Sequence, residues 1–264
     1  MKAFDMKKTM IDSHVHLPSI DWPGHESYFK TVKEAIEYLK ACGISAAIFN
    51  LWQGVLAKNF YDIEKANCDS LGLMDTYKGF LLAGAVVHPA YVEESIEWLK
   101  RFKDRGILWV GELITYEHKI PYNDERFLKI FAYCEKYQHL VQLHFDEDVL
   151  EIAARFSGLK IVASHIPEDH NLEKLAAFNN VFLDISGLAG GLCIGKLESA
   201  VKIMGAHKLL FGSDFTGYDP TAFIERVKKV VVNEQDRERI FCGNLLDILA
   251  GLKMTSFFNI RTSS

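Results

Sequence analysis

Short apolar segments recur along the chain at intervals that suit strands separated by helices. Eight of these segments are nearly continuous apolar runs rather than alternating patterns, which is typical of parallel strands covered by helices. They occupy residues 9–16, 44–52, 79–88, 107–114, 139–145, 159–166, 181–188 and 208–215. The hydrophobic pattern therefore predicts eight buried strands.

The segments between the predicted strands carry apolar residues at the spacing of amphipathic helices. In residues 27–43 the apolar stripe consists of Phe29, Val32, Ala35, Ile36 and Leu39. Gly43 is the predicted end of this helix, and Asn123 is predicted to cap another helix over 123–137. Further helices are predicted over 146–158, 195–206, 220–232 and 235–250.

Eight strands alternating with helices within 264 residues are typical of an α/β fold, the (β/α)8 or TIM barrel. The alternative is an open, doubly wound sheet, which normally carries a glycine-rich phosphate-binding turn after its first strand. Here that position holds His14 and His16, so the barrel is favoured. The chain shows no internal repeat and no Pro/Gly-rich linker, so we predict a single domain over residues 1–264 with a C-terminal tail at 253–264. Phe257 and Phe258 in this tail are predicted to pack either on the barrel or on a partner subunit, which leaves a homodimer open.

The bulk composition narrows the class of protein. Hydrophobic residues make up 49% of the chain, enough for a sizeable core, and the net charge of −5 provides no basic surface to attract nucleic acid. The five cysteines are scattered without a Cys-x-x-Cys pair, so neither a disulfide framework nor a thiolate zinc site is predicted. The first ten residues lack an apolar signal segment and no stretch approaches membrane-spanning length, so we expect a cytoplasmic protein without a membrane partner.

Side chains that bind metals stand where the predicted strands end. In a barrel the catalytic groups lie at the carboxyl ends of the strands. Six residues occupy this rim, each flanked by apolar sequence: His14, His16, Glu112, His144, His165 and Asp214. The first two are two positions apart in one strand, so their side chains point to the same face and can bind one ion. We interpret the six as a zinc site, since such a site needs several histidine and carboxylate ligands to converge.

Four short motifs and the closing helix are arranged as in a known superfamily. They are DSHVH at 12–16, VQLHF at 141–145, ASHI at 163–166, FGSDF at 211–215 and GNLLDILAGL at 243–252. In order and spacing they resemble the amidohydrolase superfamily, and within it the metal-dependent hydrolases of the amidohydrolase 2 branch. The resemblance covers nearly the whole chain and implies a metal-dependent hydrolase.

The resemblance also implies roles for individual residues. His14, His16 and Asp214 would bind metal. His144 would be a further ligand, and His165 would be a second ligand or an electrophilic catalyst. The expected cofactor is one or two Zn²⁺ ions, with Mn²⁺ as the alternative.

Glu112 departs from the commonest patterns of that superfamily, which place a carboxylated lysine or no ligand at the end of the fourth strand. It resembles the bridging glutamate of the metal-dependent deoxyribonucleases of the same superfamily. Two interpretations of Glu112 stay open: a bridge between two ions, or a partner that orients a histidine.

The predicted reaction is the hydrolysis of an amide, ester or lactone in a small-molecule substrate. A metal-activated water would attack, with Asp214 as general base and His165 polarising the scissile carbonyl. A non-oxidative decarboxylase is the first alternative, because relatives in this branch cleave carbon–carbon bonds with the same ligands. A metal-dependent nuclease is the second, and the acidic net charge counts against it. Trp52, His88 and Tyr116 are the candidate substrate-binding residues, although core packing or solvent exposure explains each of them equally well.

Overall fold

The computed structural model describes residues 9–19, 21–188 and 190–258. Within them, strands alternate with helices along the chain. The strands are β1 (Ile11–Leu17), β2 (Ala46–Leu51), β3 (Leu81–Ala83), β4 (Trp109–Leu113), β5 (Leu140–His144), β6 (Lys160–Ser164), β7 (Val181–Asp184) and β8 (Leu209–Leu210). Neighbouring strands pair in parallel, as the unbroken apolar runs predicted.

Helices cover the strands on the outside of the fold. The α-helices are α1 (Val32–Ala41), α2 (Trp52–Val55), α3 (Phe60–Thr76), α4 (Val92–Asp104), α5 (Glu125–Lys136), α6 (Asp148–Arg155), α7 (Asp169–Ala176), α8 (Lys196–Met204), α9 (Pro220–Val230), α10 (Glu234–Glu238) and α11 (Asn244–Gly251). Short 3₁₀ turns occupy Ala206–Lys208 and Thr255–Phe257, and a π-helical turn occupies Arg239–Gly243. None of the helices in the described part of the chain combines the length and the apolar character needed to cross a membrane.

Local sequence sets the ends of these helices. At the start of α1, the Thr31 hydroxyl accepts a hydrogen bond from the Glu34 N–H (3.1 Å), and the Glu34 carboxylate accepts one from the Thr31 N–H (3.2 Å). Gly43 follows the helix with φ of 87°, which confirms the predicted end. The cap of α5 is Asp124 rather than the predicted Asn123, because the Asp124 carboxylate accepts the N–H two residues further on (2.9 Å).

Hydrogen bonds arrange the strands in two parallel sheets, β1-β2-β3 and β4-β5-β6-β7-β8. Backbone hydrogen bonds outside the named strands join the edges of these sheets. On one side the Ala85 N–H donates to the Trp109 carbonyl (2.8 Å), and on the other the Ser13 N–H donates to the Phe211 carbonyl (2.9 Å). The strands thus follow one another around a (β/α)8 barrel, as predicted. The contact between residues 11–17 and 209–215 is called the β1–β8 seam below.

All eight strands are shorter in the structure than the predicted segments, and two of them differ most. The eighth, predicted over 208–215, is reduced to Leu209–Leu210, because the Phe211 N–H turns to donate to the Ile240 carbonyl (2.9 Å) and Asp214 has a left-handed φ of 61°. The third, predicted over 79–88, is reduced to Leu81–Ala83. In both places the apolar run continues beyond the strand into buried, irregular chain.

The two phenylalanines near the C-terminus pack on the barrel. Phe258 is buried and forms an isolated bridge with Gly79, and Phe257 is partly buried against the core. The barrel was one of the two predicted locations for these side chains. Residues 259–264 of the predicted tail lie outside the described residues.

Candidate metal centre

The six residues predicted to bind metal lie together at the carboxyl ends of the strands. They are His14 and His16 in β1, Glu112 in β4, His144 at the end of β5, His165 after β6 and Asp214 after β8. Parallel strands bring their carboxyl ends to the same edge, so residues distant in sequence converge here. The β1 and β4 side chains are buried, whereas the Asp214 side chain is 17% exposed.

Glu112 lies between two pairs of histidines. Its Oε2 is 3.4 Å from the Nε2 atoms of both His14 and His16, which form the first histidine pair. Its Oε1 is 3.3 Å from His144 Nδ1 and 3.6 Å from His165 Nε2, which form the second histidine pair. Each carboxylate oxygen therefore faces a different pair.

Within each pair, ring nitrogens face one another at short distance. The Nε2 atoms of His14 and His16 are 3.0 Å apart, and His165 Nε2 is 3.2 Å from His144 Nδ1. Asp214 Oδ1 lies 3.7 and 3.5 Å from the two nitrogens of the first pair. Nitrogen and oxygen ligands about 2.0–2.2 Å from one tetrahedral ion lie roughly 3.3–3.6 Å from each other. The donor set therefore fits a divalent cation at each histidine pair.

A network beneath the ligands sets which ring nitrogens carry protons. The buried Asp184 carboxylate accepts from His14 Nδ1 and Gln142 Nε2 (both 3.0 Å), from the Ser186 N–H (3.0 Å) and from the Ser186 hydroxyl. The Ser186 oxygen in turn is 3.0 Å from His165 Nδ1. The Asp184 carboxylate can only accept, so His14 Nδ1 carries the proton of their hydrogen bond. The Ser186 hydroxyl donates its proton to Asp184, so its oxygen accepts from His165 Nδ1, which therefore carries a proton too. The Nε2 lone pairs of both rings consequently point at the proposed cation positions.

The charges at the centre favour a cation. Burial alone would raise the pKa of Glu112, but His14 and the other histidines hold it well below its ordinary value. Burial alone would lower the pKa of His14. The negative charges of Glu112 and Asp184 outweigh this effect, so the pKa of His14 lies well above its ordinary value. Burial raises the pKa of Asp214 and lowers that of His165. A site that draws a proton onto a buried imidazole in this way also attracts a metal ion.

Backbone conformation turns two of the residues inward. His165 and Asp214 have left-handed φ values of 68° and 61°, which are uncommon for residues other than glycine. Gly187 follows with φ of 78°, and a Cβ there would lie 2.4 Å from His165 Nδ1. Sparsely populated conformations of this kind concentrate at functional sites.

A cleft of about 800 Å³ opens over His144, His165 and Asp214. Of the three predicted substrate-binding residues, Tyr116 lines this cleft. Its ring lies 5.2 Å from that of His144. Sequence reasoning missed Tyr218, which lines the same cleft, because it stands in a loop beyond the last strand.

The other two predicted substrate-binding residues lie away from the cleft lining. Trp52 donates from Nε1 to the Thr216 hydroxyl (3.0 Å), and its ring lies 4.5 Å from that of His16. His88 is buried against His118, with ring centroids 4.1 Å apart, and burial lowers its pKa to about 4. A role in substrate binding stays a prediction for both residues.

Comparison with known proteins places the chain in a family. A family model described as amidohydrolase, of the amidohydrolase 2 type, matches residues 11–248. The chain belongs to the amidohydrolase family. This confirms the resemblance carried by the histidine and aspartate motifs. No curated protein matches this amidohydrolase in sequence.

Solved structures share the fold of this amidohydrolase at low sequence identity. A 2,6-dihydroxybenzoate decarboxylase from Rhizobium is 16% identical, with a TM-score of 0.72 over 92% of this chain and 99% of that one. A 5-carboxyvanillate decarboxylase from Novosphingobium aromaticivorans, complexed with manganese, is 13% identical, with a TM-score of 0.72 over 94% and 98% of the two chains. A probable 2-pyrone-4,6-dicarboxylic acid hydrolase from Acinetobacter baumannii, with citric acid bound, is 18% identical, with a TM-score of 0.68 over 92% and 99%. These likenesses confirm the barrel fold.

Proposed function

We propose that this amidohydrolase is a metal-dependent hydrolase that cleaves an amide, ester or lactone bond in a small molecule. The observation that carries the proposal is the position of Glu112, whose two carboxylate oxygens face two separate histidine pairs. Adjacent cation sites that share a carboxylate suit hydrolysis, because the ions held there would make an attacking water more acidic and polarise the scissile carbonyl. The cleft volume of about 800 Å³ is in the usual range for small-molecule sites.

The first histidine pair and Asp214 would hold one ion, and the second histidine pair would hold the other, with Glu112 between them. Histidine nitrogens and carboxylate oxygens suit Zn²⁺, and Mn²⁺, which one structural neighbour contains, is the alternative. When bound, such an ion supplies a Lewis acid that makes water acidic near neutral pH and polarises a carbonyl group.

Asp214 is the residue best placed to move a proton. Of the three carboxylates at the centre, Glu112 and Asp184 are buried, whereas Asp214 lines the cleft. Its raised pKa, caused first by burial, makes the carboxylate a stronger base than an ordinary aspartate. We assign Asp214 the transfer of a proton from the attacking water to the leaving group.

A decarboxylase on the same scaffold is the second candidate. Tyr116, Phe145 and Tyr218 give the cleft flat aromatic surfaces that suit a benzoate ring. Two of the structural neighbours are decarboxylases of aromatic acids. Loss of carbon dioxide from an aromatic acid would then replace hydrolysis.

The nuclease alternative gains no support from the cleft. Among the described residues that line it, Lys196 supplies the positive charge, and that lysine is paired with Glu168 at 2.7 Å. A nuclease needs several cationic groups along the path of the phosphate backbone.

The deciding experiment combines metal analysis with a substrate panel. We expect two ions per chain in the wild type and a lower ratio in Glu112→Gln, with the exposed Glu173→Gln on α7 as a matched control. The panel contrasts aryl esters, anilides and lactones with hydroxybenzoates, whose turnover is followed as carbon dioxide release. A ratio near one in both the wild type and Glu112→Gln would contradict the bridging role. Turnover confined to the hydroxybenzoates would replace the hydrolase by the decarboxylase.

A further inference from the structure

Three polar residues stand at the edge of the cleft where two helices begin. Glu168 directly precedes α7, Asn171 lies in the first turn of α7, and Lys196 is the first residue of α8. This group is called the α7–α8 corner below. Its three residues line the same cleft as the metal-centre residues His165 and Asp214. The proposed hydrolysis uses none of the three.

Lys196 is held in place by two contacts with other described residues. Its ammonium group donates to the Pro167 carbonyl (3.0 Å) and to Glu168 Oε1 (2.7 Å), and its side chain is 19% exposed. An ammonium group has three N–H donors, so the contacts within the described residues leave the third for another acceptor. A lysine at the first position of a helix also opposes the helix dipole, which favours anions there. Helix stability therefore does not explain why this position is cationic.

Asn171 is a buried amide whose side chain makes no hydrogen bond to the other described residues. The residue is 6% exposed, and its Oδ1 is buried without a partner in the described part of the chain. Leaving such a polar group unpaired is unfavourable, since it loses its bonds to water and gains none in the fold. The unpaired Oδ1 is an acceptor and does not pair with an anion, but the same side chain carries an N–H₂ group and lines the cleft. The two N–H donors of the amide suit an anionic oxygen.

The corner and the metal centre line one cleft, so a molecule bound there can contact both. Since consecutive Cα atoms lie about 3.8 Å apart, the ammonium group bound to the Pro167 carbonyl is within roughly 13 Å of the His165 Cα. Phe145, Ile166 and Tyr218 line the same cleft with apolar and aromatic surface. The cleft therefore combines an apolar wall with a charged group at the corner.

We propose that Lys196 and Asn171 form a subsite for a carboxylate at the end of the substrate remote from the reacting bond. The inference rests on the proposed function in one respect, because it takes the reacting end of the substrate to lie at the metal centre. The substrate class is a small molecule with an aromatic or apolar body and an anionic end, such as an O-acylated or N-acylated aromatic acid. When the subsite is empty, the Lys196 ammonium group pairs with Glu168, and a bound carboxylate has to compete with this pairing.

A purely structural role for Lys196 makes a different prediction. In that case the lysine would only tie the start of α8 to Pro167 and Glu168. Glu168 is 73% exposed, and an ion pair with so exposed a partner contributes little to stability. Removing the charge of Glu168 would then leave ligand binding unchanged. In the proposed subsite, the same change frees the lysine and strengthens the binding of a carboxylate.

The test measures binding rather than turnover. Isothermal titration of the metal-loaded enzyme compares isophthalate, which has two carboxylates, with 3-carbamoylbenzoate, in which one carboxylate is replaced by a neutral amide. We expect the wild type to favour isophthalate by about tenfold or more, the contribution of a charge-assisted hydrogen bond. Lys196→Met should abolish this preference, and Lys196→Arg should retain most of it. Lys202→Met, an exposed lysine on the same helix, is the matched control and should behave as the wild type.

Two further variants separate the subsite from a structural tie. Glu168→Gln should raise the affinity for isophthalate, and Asn171→Asp should lower it several-fold by repulsion while affecting 3-carbamoylbenzoate less. Equal affinities of the two probes for the wild type, absence of isophthalate binding at millimolar concentration, or an unchanged preference in Lys196→Met would each overturn the subsite. A failure of the proposed hydrolase appears instead in the substrate panel and leaves this comparison of affinities intact.

Discussion

Replacing Asp184 by asparagine should weaken metal binding, although Asp184 is not itself among the proposed ligands. Its Oδ2 accepts the Nδ1–H of His14 at 3.0 Å and so leaves the Nε2 of that ring free of a proton. An asparagine N–H₂ in this position donates to Nδ1 and shifts the ring proton to Nε2, where an ion should bind. In the wild type, the backbone N–H groups of His165 and Ser186 donate to Asp184 Oδ1 at 3.2 and 3.0 Å. If the asparagine amide is turned the other way, its N–H₂ faces these two donors and their hydrogen bonds are lost.

The size of the effect follows from these contacts. Either orientation of the asparagine loses hydrogen bonds to a charged acceptor, each of which contributes about 1.5–3 kcal/mol. We therefore expect Asp184→Asn to bind Zn²⁺ roughly 10–100-fold more weakly, the loss typical when a residue that orients a histidine ligand is removed. Ser186→Ala, which removes the hydroxyl that donates to Asp184, should have a smaller effect in the same direction.

Competition for Zn²⁺ with a chromophoric chelator measures the affinity directly. The melting temperature of each metal-free variant, measured in parallel, shows that the barrel is folded. Asp247→Asn, at a 79% exposed aspartate on α11, is the control and should bind as the wild type does. An Asp184→Asn protein that is folded and binds Zn²⁺ within twofold of the wild type would refute the assignment of the His14 tautomer.

Three other changes test separate parts of the molecule. The double change His14→Ala and His16→Ala should lower the metal content while the circular dichroism spectrum stays that of a folded barrel; an undiminished metal content would exclude the first histidine pair as ligands. Asp214→Asn should lower kcat by about 10²–10⁴-fold, the usual contribution of a general base, with a smaller loss of metal, and a wild-type kcat would exclude the proton-transfer role. Burial lowers the pKa of His139 to about 4, so its neutral form stabilises the fold above the ordinary pKa of 6.5, and this contribution is lost as the pH falls toward 4. Urea titrations measure the unfolding free energy of the wild type and of His139→Met at about pH 7.5 and pH 5. Over this interval the variant should lose about 2 kcal/mol less than the wild type. Equal losses would contradict the lowered pKa of His139.

The barrel and the ring of ligands follow from patterns that are local in the sequence. Each apolar run ends in a polar residue, and the parallel topology brings these ends together without any knowledge of the loops. The same rule applies to Asp184, which ends β7 within the run VFLDIS. It was missed because none of the motifs that resemble the amidohydrolase superfamily covers this strand, whereas such motifs include His14 and Asp214.

Other features depend on packing between distant segments. The shortness of β8 is caused by Ile240, which takes the Phe211 N–H although it lies about thirty residues further along the chain. The position of Lys196 at the cleft depends on how α8 packs beside the loop that carries Pro167. Neither arrangement leaves a periodic signal, so hydrophobic spacing alone predicts neither.

The β1–β8 seam fixes the order in which the centre can form during synthesis. Asp12 accepts hydrogen bonds from the N–H (3.0 Å) and the hydroxyl (2.5 Å) of Ser213, a residue 201 positions further along the chain. Next to them, the Asp214 N–H donates to the His14 carbonyl (2.9 Å). At a synthesis rate of about 5–20 residues per second, His14 leaves the ribosome roughly 10–40 s before Asp214. The nascent chain therefore carries the first histidine pair for many seconds without its carboxylate partner, and a complete centre can form only after the last strand closes the barrel.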